Sequence, residues 1–195
     1  MEFQIPLLKV DEERRLVIGR AVQEVPDKSN EILDYATAKP AFQAWSAHYE
    51  KETGGLSKGN VRVQHNPKQV AGKVVDLTFN DADKAIDVMV KVVDDNEWKK
   101  VQEGCYTGFS VGGSYAKKWK DPVTGLLKYT PKVSELSLVD SPCIPTARIV
   151  ELHKADGTVG ELHLKGRPRL FDEVMADQRR AAPRTFAEVM AQKDR

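Results

Sequence analysis

Three short stretches of this chain carry residue types that can do chemistry together. Gln64-His65-Asn66-Pro67 places an imidazole at the end of an alternating run. Gly108-Phe109-Ser110-Val111-Gly112-Gly113 sets a hydroxyl among glycines. Val133-Ser134-Glu135-Leu136-Ser137-Leu138-Val139-Asp140-Ser141-Pro142 offers carboxylates on an apolar ribbon. A serine hydroxyl is a weak nucleophile until a neighbouring base takes its proton. Histidine suits that task because its ordinary pKa lies near neutrality. A carboxylate then holds the imidazole in one tautomer and stabilises the imidazolium. Glycines beside the serine let a substrate strand approach and leave backbone N–H groups open to a developing oxyanion.

Each stretch also has a plain structural reading. A serine between glycines in a strand marks a bulge or a close-packing site. His65 can hydrogen-bond a loop carbonyl, and Glu135 can be an outward-facing strand residue. Gly108 to Gly112 matches the Gly-x-Ser-x-Gly string of the α/β-hydrolase elbow, which requires a strand, a sharp turn and a helix. Here Gly113-Ser114-Tyr115-Ala116 continues extended towards a Lys-rich stretch, so the string match carries little.

The elements that must position these residues are mostly short strands. Arg15 to Val22 is an opening strand with one glycine, and Pro26 to Asn30 is a turn cluster. A helix is predicted from a Thr37 cap through Thr53, with Pro40 early in it and Gly54-Gly55 ending it. Its Phe42, Trp45 and Tyr49 fall on one face, as core packing does. From Asn60 the period becomes two, and Pro67 is expected to end that run or hold it at an edge. Gly72–Phe79 and Ala85–Val93 form a predicted antiparallel pair across Asn80 to Asp83. Asp95-Asn96-Glu97 opens a short helix that carries Trp98 and Val101 and closes at Gly104. Cys105–Ala116 and Leu126–Val139 are extended, the second divided at Pro131. Ala147–His153 and Val159–Leu164 make a hairpin across Asp156-Gly157. The expected fold is mainly β (α+β): an antiparallel, partly closed barrel decorated by short helices, with a helical C-terminal tail.

That tail differs in kind. Phe171-Asp172-Glu173-Val174-Met175-Ala176 recurs as Phe186-Ala187-Glu188-Val189-Met190-Ala191, with Pro183 between the copies. Residues 165–195 carry a charge of +3 against −2 for the rest. The expected domains are therefore a barrel over 1–164 and a repeated amphipathic tail over 165–195. The tail is either a fraying end or a duplicated docking peptide whose apolar face needs a groove.

Length and composition remove other classes. A chain of 195 residues with 41% hydrophobic and 30% charged residues suits one globular domain plus a tail. A formal net charge of +1 argues against a strongly basic nucleic-acid binder. No stretch approaches the roughly 18–20 apolar residues of a membrane helix, and Met1 to Lys9 lacks the pattern of a signal peptide. Cys105 and Cys143 read as two free thiols, and neither they nor the four histidines have metal-ligand spacing.

The ordered combination resembles a family. Gln-His-Asn before a proline, Gly-Phe-Ser-Val-Gly-Gly after a Trp-containing helix, and Glu-Leu-Ser-Leu-Val-Asp-Ser-Pro look like the tailed-phage prohead (capsid maturation) serine proteases. That family is structurally related to the herpesvirus assemblins. The resemblance spans roughly residues 14–152. It implies Ser110 as nucleophile, His65 as general base and Glu135 as third member, where the herpesvirus relatives use a second histidine. Asp76, Asp140 and His153 are alternatives for that third place. Gly112, Gly113 and the backbone at Cys143 are candidates for oxyanion or substrate binding. The family's Pro-Ala-Asn-Pro is here Pro142-Cys143-Ile144-Pro145, a departure at the last of these.

The implied function is a Ser-His-Glu serine endopeptidase acting inside the immature phage capsid in the host cytoplasm. Its expected substrates are scaffold protein, or a scaffold-like arm of the major capsid protein, and the enzyme itself, with Arg179-Arg180-Ala181-Ala182-Pro183 as a plausible self-cleavage stretch. Autoproteolysis and virion maturation belong to that role. No cofactor, metal, nucleic acid or membrane is expected, and the herpesvirus relatives imply association into a homodimer or oligomer. The alternative is a catalytically inactive protease-like scaffold or assembly protein, with the tail as its binding element. A host-encoded protease descended from a prophage would share the chemistry and differ in substrate.

Overall fold

The computed structural model describes residues 14–153 and 159–161. Strand β1 (Leu16–Gln23) buries Val17, Ala21 and Val22, and a turn leads into the short β2 (Glu31–Leu33). Helix α1 (Tyr35–Glu52) comes next, and its start corrects the expected Thr37 cap. Asp34 is the cap, and its carboxylate accepts the Thr37 N–H at 3.1 Å and the Thr37 hydroxyl at 2.8 Å. A carboxylate at the N-cap satisfies orphan N–H groups and favours the positive end of the helix dipole. Tyr35, Ala38, Phe42 and Trp45 form the buried face, so the aromatic stripe is core, as expected. Gly54 and Gly55, with φ of 60° and 85°, end the helix in the left-handed region that glycine tolerates.

Strand β3 (Asn60–Val63) turns sharply into β4 (Asn66–Asn80). Here the expectation that Pro67 ends the run is corrected, because Asn66-Pro67 opens the next strand. Pairing passes from Val63↔Asn66 to Arg62↔Val70, so Pro67 falls in a bulge and its missing N–H removes no ladder bond. Strand β5 (Ala85–Val92) returns antiparallel to β4. Helix α2 (Asp95–Gln102) is capped by Asp94, which accepts the Asn96 and Glu97 N–H groups at 2.9 Å each.

Strands β6 (Gly108–Lys120) and β7 (Leu127–Val139) form a long antiparallel pair. Pro131 does not divide β7. It stands beside a register shift in the β6 ladder, between the stretches of β7 that pair β2 and β3, where the ladders are already interrupted. Strands β8 (Ile149–His153) and β9 (Val159–Glu161) pair antiparallel as expected, with their connection outside the described residues. The tail over 165–195 also lies outside them.

These nine strands of the described residues join in one sheet, ordered β2-β7-β3-β4-β5-β1-β8-β9 with β6 on the other edge of β7. Two pairings, β2/β7 and β3/β7, are parallel, which an all-antiparallel expectation does not contain. The sheet curls until its far parts meet. Gly108 bridges Arg148, the Phe109 N–H donates to the Ala147 carbonyl at 3.0 Å, and the Ile149 N–H donates to the Thr107 carbonyl at 3.1 Å. Inside lie Val61, Val74, Val90, Phe109, Leu136, Leu138 and Ile149, each at most 1% exposed. The result is a mainly β, partly closed barrel with two helices on it, as the sequence implies.

Candidate active site

Strand β7 sits between the two elements that carry the other reactive groups. Along one edge it pairs β6 with Ser110 opposite Ser137 and Gly112 opposite Glu135. Along the other it pairs β3 in parallel, with Arg62 opposite Ser137. Strand side chains alternate between faces, so Glu135 and Ser137 share one face while Leu136 and Leu138 enter the core. The same alternation on β6 sends Phe109 inward and Ser110 to the face of Glu135.

His65 reaches that face from the two-residue turn between β3 and β4. Gln64 and His65 have φ of 49° and 60°, the pair of positive values that a type I′ hairpin turn requires. Gln64 has no preference for that region and His65 only a modest one, so tertiary bonds hold the turn. Two do: the Gln64 N–H donates to the Leu138 carbonyl at 3.0 Å, and the His65 N–H donates to Ser137 Oγ at 3.0 Å.

The side chains then form one hydrogen-bonded chain. His65 Nδ1 lies 2.5 Å from Glu135 Oε1, and His65 Nε2 lies 2.9 Å from Ser110 Oγ. An Nδ1–H donating to the carboxylate leaves Nε2 to accept from the serine hydroxyl. Glu135 is 4% exposed and receives a second bond at Oε2 from the Ser137 hydroxyl, at 2.7 Å. The hydrogen bond to Glu135 raises the His65 pKa above its ordinary value; partial burial opposes this, and the attraction of the carboxylate charge adds to it. The arrangement can take a proton from Ser110 and hold the charge that results.

Gly112 has a reason of its own. A Cβ built there would stand 1.9 Å from Glu135 Oε1, so the carboxylate lies where any larger residue would put its side chain. A Cβ at Gly113 would meet the Lys132 carbonyl at 2.1 Å. Gly112, Gly113 and Cys143 all line a cavity of about 230 Å³ that Ser110 also lines. The Cys143 carbonyl is engaged by the Lys28 N–H at 3.0 Å, and both cysteines are free thiols. Of the alternative third members, Asp76 pairs with Lys58 at 2.7 Å and Asp140 is exposed. The side chain of His153 is outside the description. Ser110 lies within a continuous strand, so the hydrolase-elbow reading has no strand–turn–helix here.

Sequence reasoning passed over Ser137, which is 0% exposed and bonds both His65 and Glu135. The signal was present: Glu135 and Ser137 are the two polar residues alternating with Leu136 and Leu138. A buried polar residue needs partners, and those nearest on its face are the reactive ones.

No curated protein matches the chain. Among solved structures, the bacteriophage T4 capsid assembly protease, gp21, is similar at 15% identity and a TM-score of 0.48, over 65% of this chain and 80% of that one. A family model, that of the phage serine protease XkdF, matches residues 4–118, more than half of the chain and including His65 and Ser110. The chain therefore belongs to the phage serine protease XkdF family.

Proposed function

We propose that this protein is a serine endopeptidase in which Ser110 is the nucleophile, His65 the general base and then acid, and Glu135 the group that orients His65. The observation that carries this is the unbroken chain from Ser110 Oγ through His65 to Glu135, at 2.9 and 2.5 Å. Ser110 Oγ attacks a peptide carbonyl as His65 Nε2 takes its proton, and the tetrahedral oxyanion forms. The scissile C–N bond breaks as the imidazolium gives the proton to the leaving amine, which leaves an acyl-enzyme ester. Water, deprotonated by His65, then cleaves that ester and the proton returns to Ser110. Backbone N–H groups near Gly112, Gly113 and Cys143 are our candidates for the oxyanion and substrate contacts, because these residues share the cavity with Ser110. Ser137 acts as a positioning residue, tying Glu135 to the His65 backbone.

The substrates we infer are scaffold or major capsid protein precursor segments and the enzyme itself, cleaved inside the prohead; the likeness of the motifs to prohead proteases supports this. The barrel over 1–164 would hold the catalytic apparatus, and the tail over 165–195 would dock it to scaffold or shell. Ser110→Ala should leave fold and assembly intact while precursor capsid proteins stay uncleaved. Reaction of Ser110 with a fluorophosphonate probe, abolished by His65→Ala, is the direct test. Full precursor processing by Ser110→Ala would sink the reading.

A further inference from the structure

The cavity beside Ser110 has a composition that selects substrate, a role that rests on Ser110 being the nucleophile of a serine protease. Buried Val22, Leu33 and Phe109, all at most 2% exposed, back its wall, and the half-buried Ile144 and Tyr129 line it as well. Tyr129 stands edge-on to Tyr115 with ring centroids 5.0 Å apart.

Two carboxylates also line the cavity, and both are already engaged. Asp27 Oδ1 accepts the Ser29 N–H at 2.8 Å and the Glu31 N–H at 2.9 Å, which fixes its own turn. Glu31 accepts the Tyr115 hydroxyl at 2.7 Å and the Lys118 ammonium at 3.0 Å. Lys132, the lysine of the lining, is exposed and remains in water. An acidic side chain entering this cavity would meet two carboxylates, while a basic one would find Glu31 already paired with Lys118 and would face only Asp27, whose Oδ1 is held by two backbone N–H groups. Burying an unpaired charge is costly, whereas burying apolar surface is favourable.

We propose that this cavity is a specificity pocket for a bulky, neutral, apolar side chain of the substrate, of the size of Leu, Met or Phe, next to the bond that Ser110 attacks. A volume of about 230 Å³ leaves a side chain as small as Ala with most of the walls uncontacted. A single methylene in such a pocket changes kcat/KM roughly 10- to 200-fold. Preference for Leu, Met or Phe over Ala should therefore be at least about tenfold, and Asp and Glu should be rejected outright.

The test uses the full chain and unfolded casein, with new termini read by mass spectrometry. One position flanking the cut should be enriched in Leu, Met and Phe and depleted in Asp and Glu. Ile144→Trp fills the cavity and should move that preference to Ala and Gly, with folding checked by circular dichroism and thermal unfolding. If Ile144→Trp does not fold, Ser29→Trp, at an exposed position on the same lining, replaces it. Wild-type cuts without an apolar preference, or an unchanged preference in a folded cavity-filling variant, overturn the pocket. A chain that reacts with the fluorophosphonate but cleaves all residue types alike, or none, counts against the pocket alone. If neither wild type nor Ser110→Ala reacts or cleaves, the serine-protease reading falls first and the pocket with it.

Discussion

The imidazole of His65 is where charge, burial and backbone strain meet. Its pKa is raised by the hydrogen bond from Nδ1 to Glu135. A general base must be neutral, so activity should be lost as pH falls through that raised value. The acid limb of the kcat/KM profile should therefore lie above the ordinary imidazole value of about 6.5. Glu135→Gln removes the cause: the limb should move down towards that value, and kcat should fall by about 10⁴-fold, as for an amide in the carboxylate place of a serine-protease triad. An acid limb at the ordinary value in the wild type would contradict the pairing. Ser137→Ala is a separate case at the same scale. It strips one bond from the Glu135 carboxylate and one from the His65 N–H, which should cost about 1–3 kcal/mol of stability in denaturant unfolding. It should also lower kcat with KM nearly unchanged, and Ser137→Thr, which restores the hydroxyl, should recover part of the loss. A KM effect alone would mark Ser137 as merely structural.

At the scale of elements, the site is a matter of register. Strand β7 presents Glu135 and Ser137 two residues apart, and the ladder with β6 puts Gly112 and Ser110 opposite them. A one-residue slip would send Ser110 into the core and Phe109 out. Gly112 makes this arrangement sterically feasible, so Gly112→Ala should fold while pushing Glu135 off His65. Activity should drop by about 10²-fold, the scale of a misplacement near 1 Å, and the acid limb should fall as in Glu135→Gln. Gly108→Ala is the contrasting control, because its Cβ would stand 1.9 Å from the Ala147 backbone carbonyl rather than from a side chain. That change should appear as lost stability, of about 1–3 kcal/mol. Equal stability and activity profiles for the two variants would refute the distinction.

For the whole molecule, the decisive feature is closure of the sheet. Arg20 stands one strand away from the closing contacts, on β1 beside β8: its backbone N–H donates to the Arg148 carbonyl, and its side chain is buried across from Asp87 on β5. The guanidinium is held by Asp87 at 2.9 Å and by Asp83 at 3.2 Å. Asp87→Ala leaves one partner for a buried cation and should lower stability by about 1.5–3 kcal/mol in denaturant unfolding. A loss below the error of the measurement would show that the β1/β5 ladder does not depend on this pair. The near-neutral net charge of +1 describes neither residues 1–164, at −2, nor residues 165–195, at +3, because it adds two unlike stretches of sequence.

Local physics made much of the fold legible in the residues themselves. Period-two runs, Gly54-Gly55, Gly104 and the Asn80–Asp83 turn each act on neighbours a few residues away, and the mainly β architecture follows from them. Even so, propensity placed the α1 cap at Thr37 rather than Asp34, and it broke the chain at Pro67 and Pro131 where bulges and register shifts absorb the missing N–H. The residue types for a nucleophile, a base and a carboxylate were also readable, as was their order along the chain. Which carboxylate faces His65 was not. Glu135 is 70 residues from His65, and Ser110 is 45 from it. Their contact depends on a parallel β3/β7 ladder, an antiparallel β6/β7 ladder and a left-handed turn, held by long-range pairings that no local pattern encodes. Only the curled, partly closed sheet, whose core fixes each strand's register, brings them together.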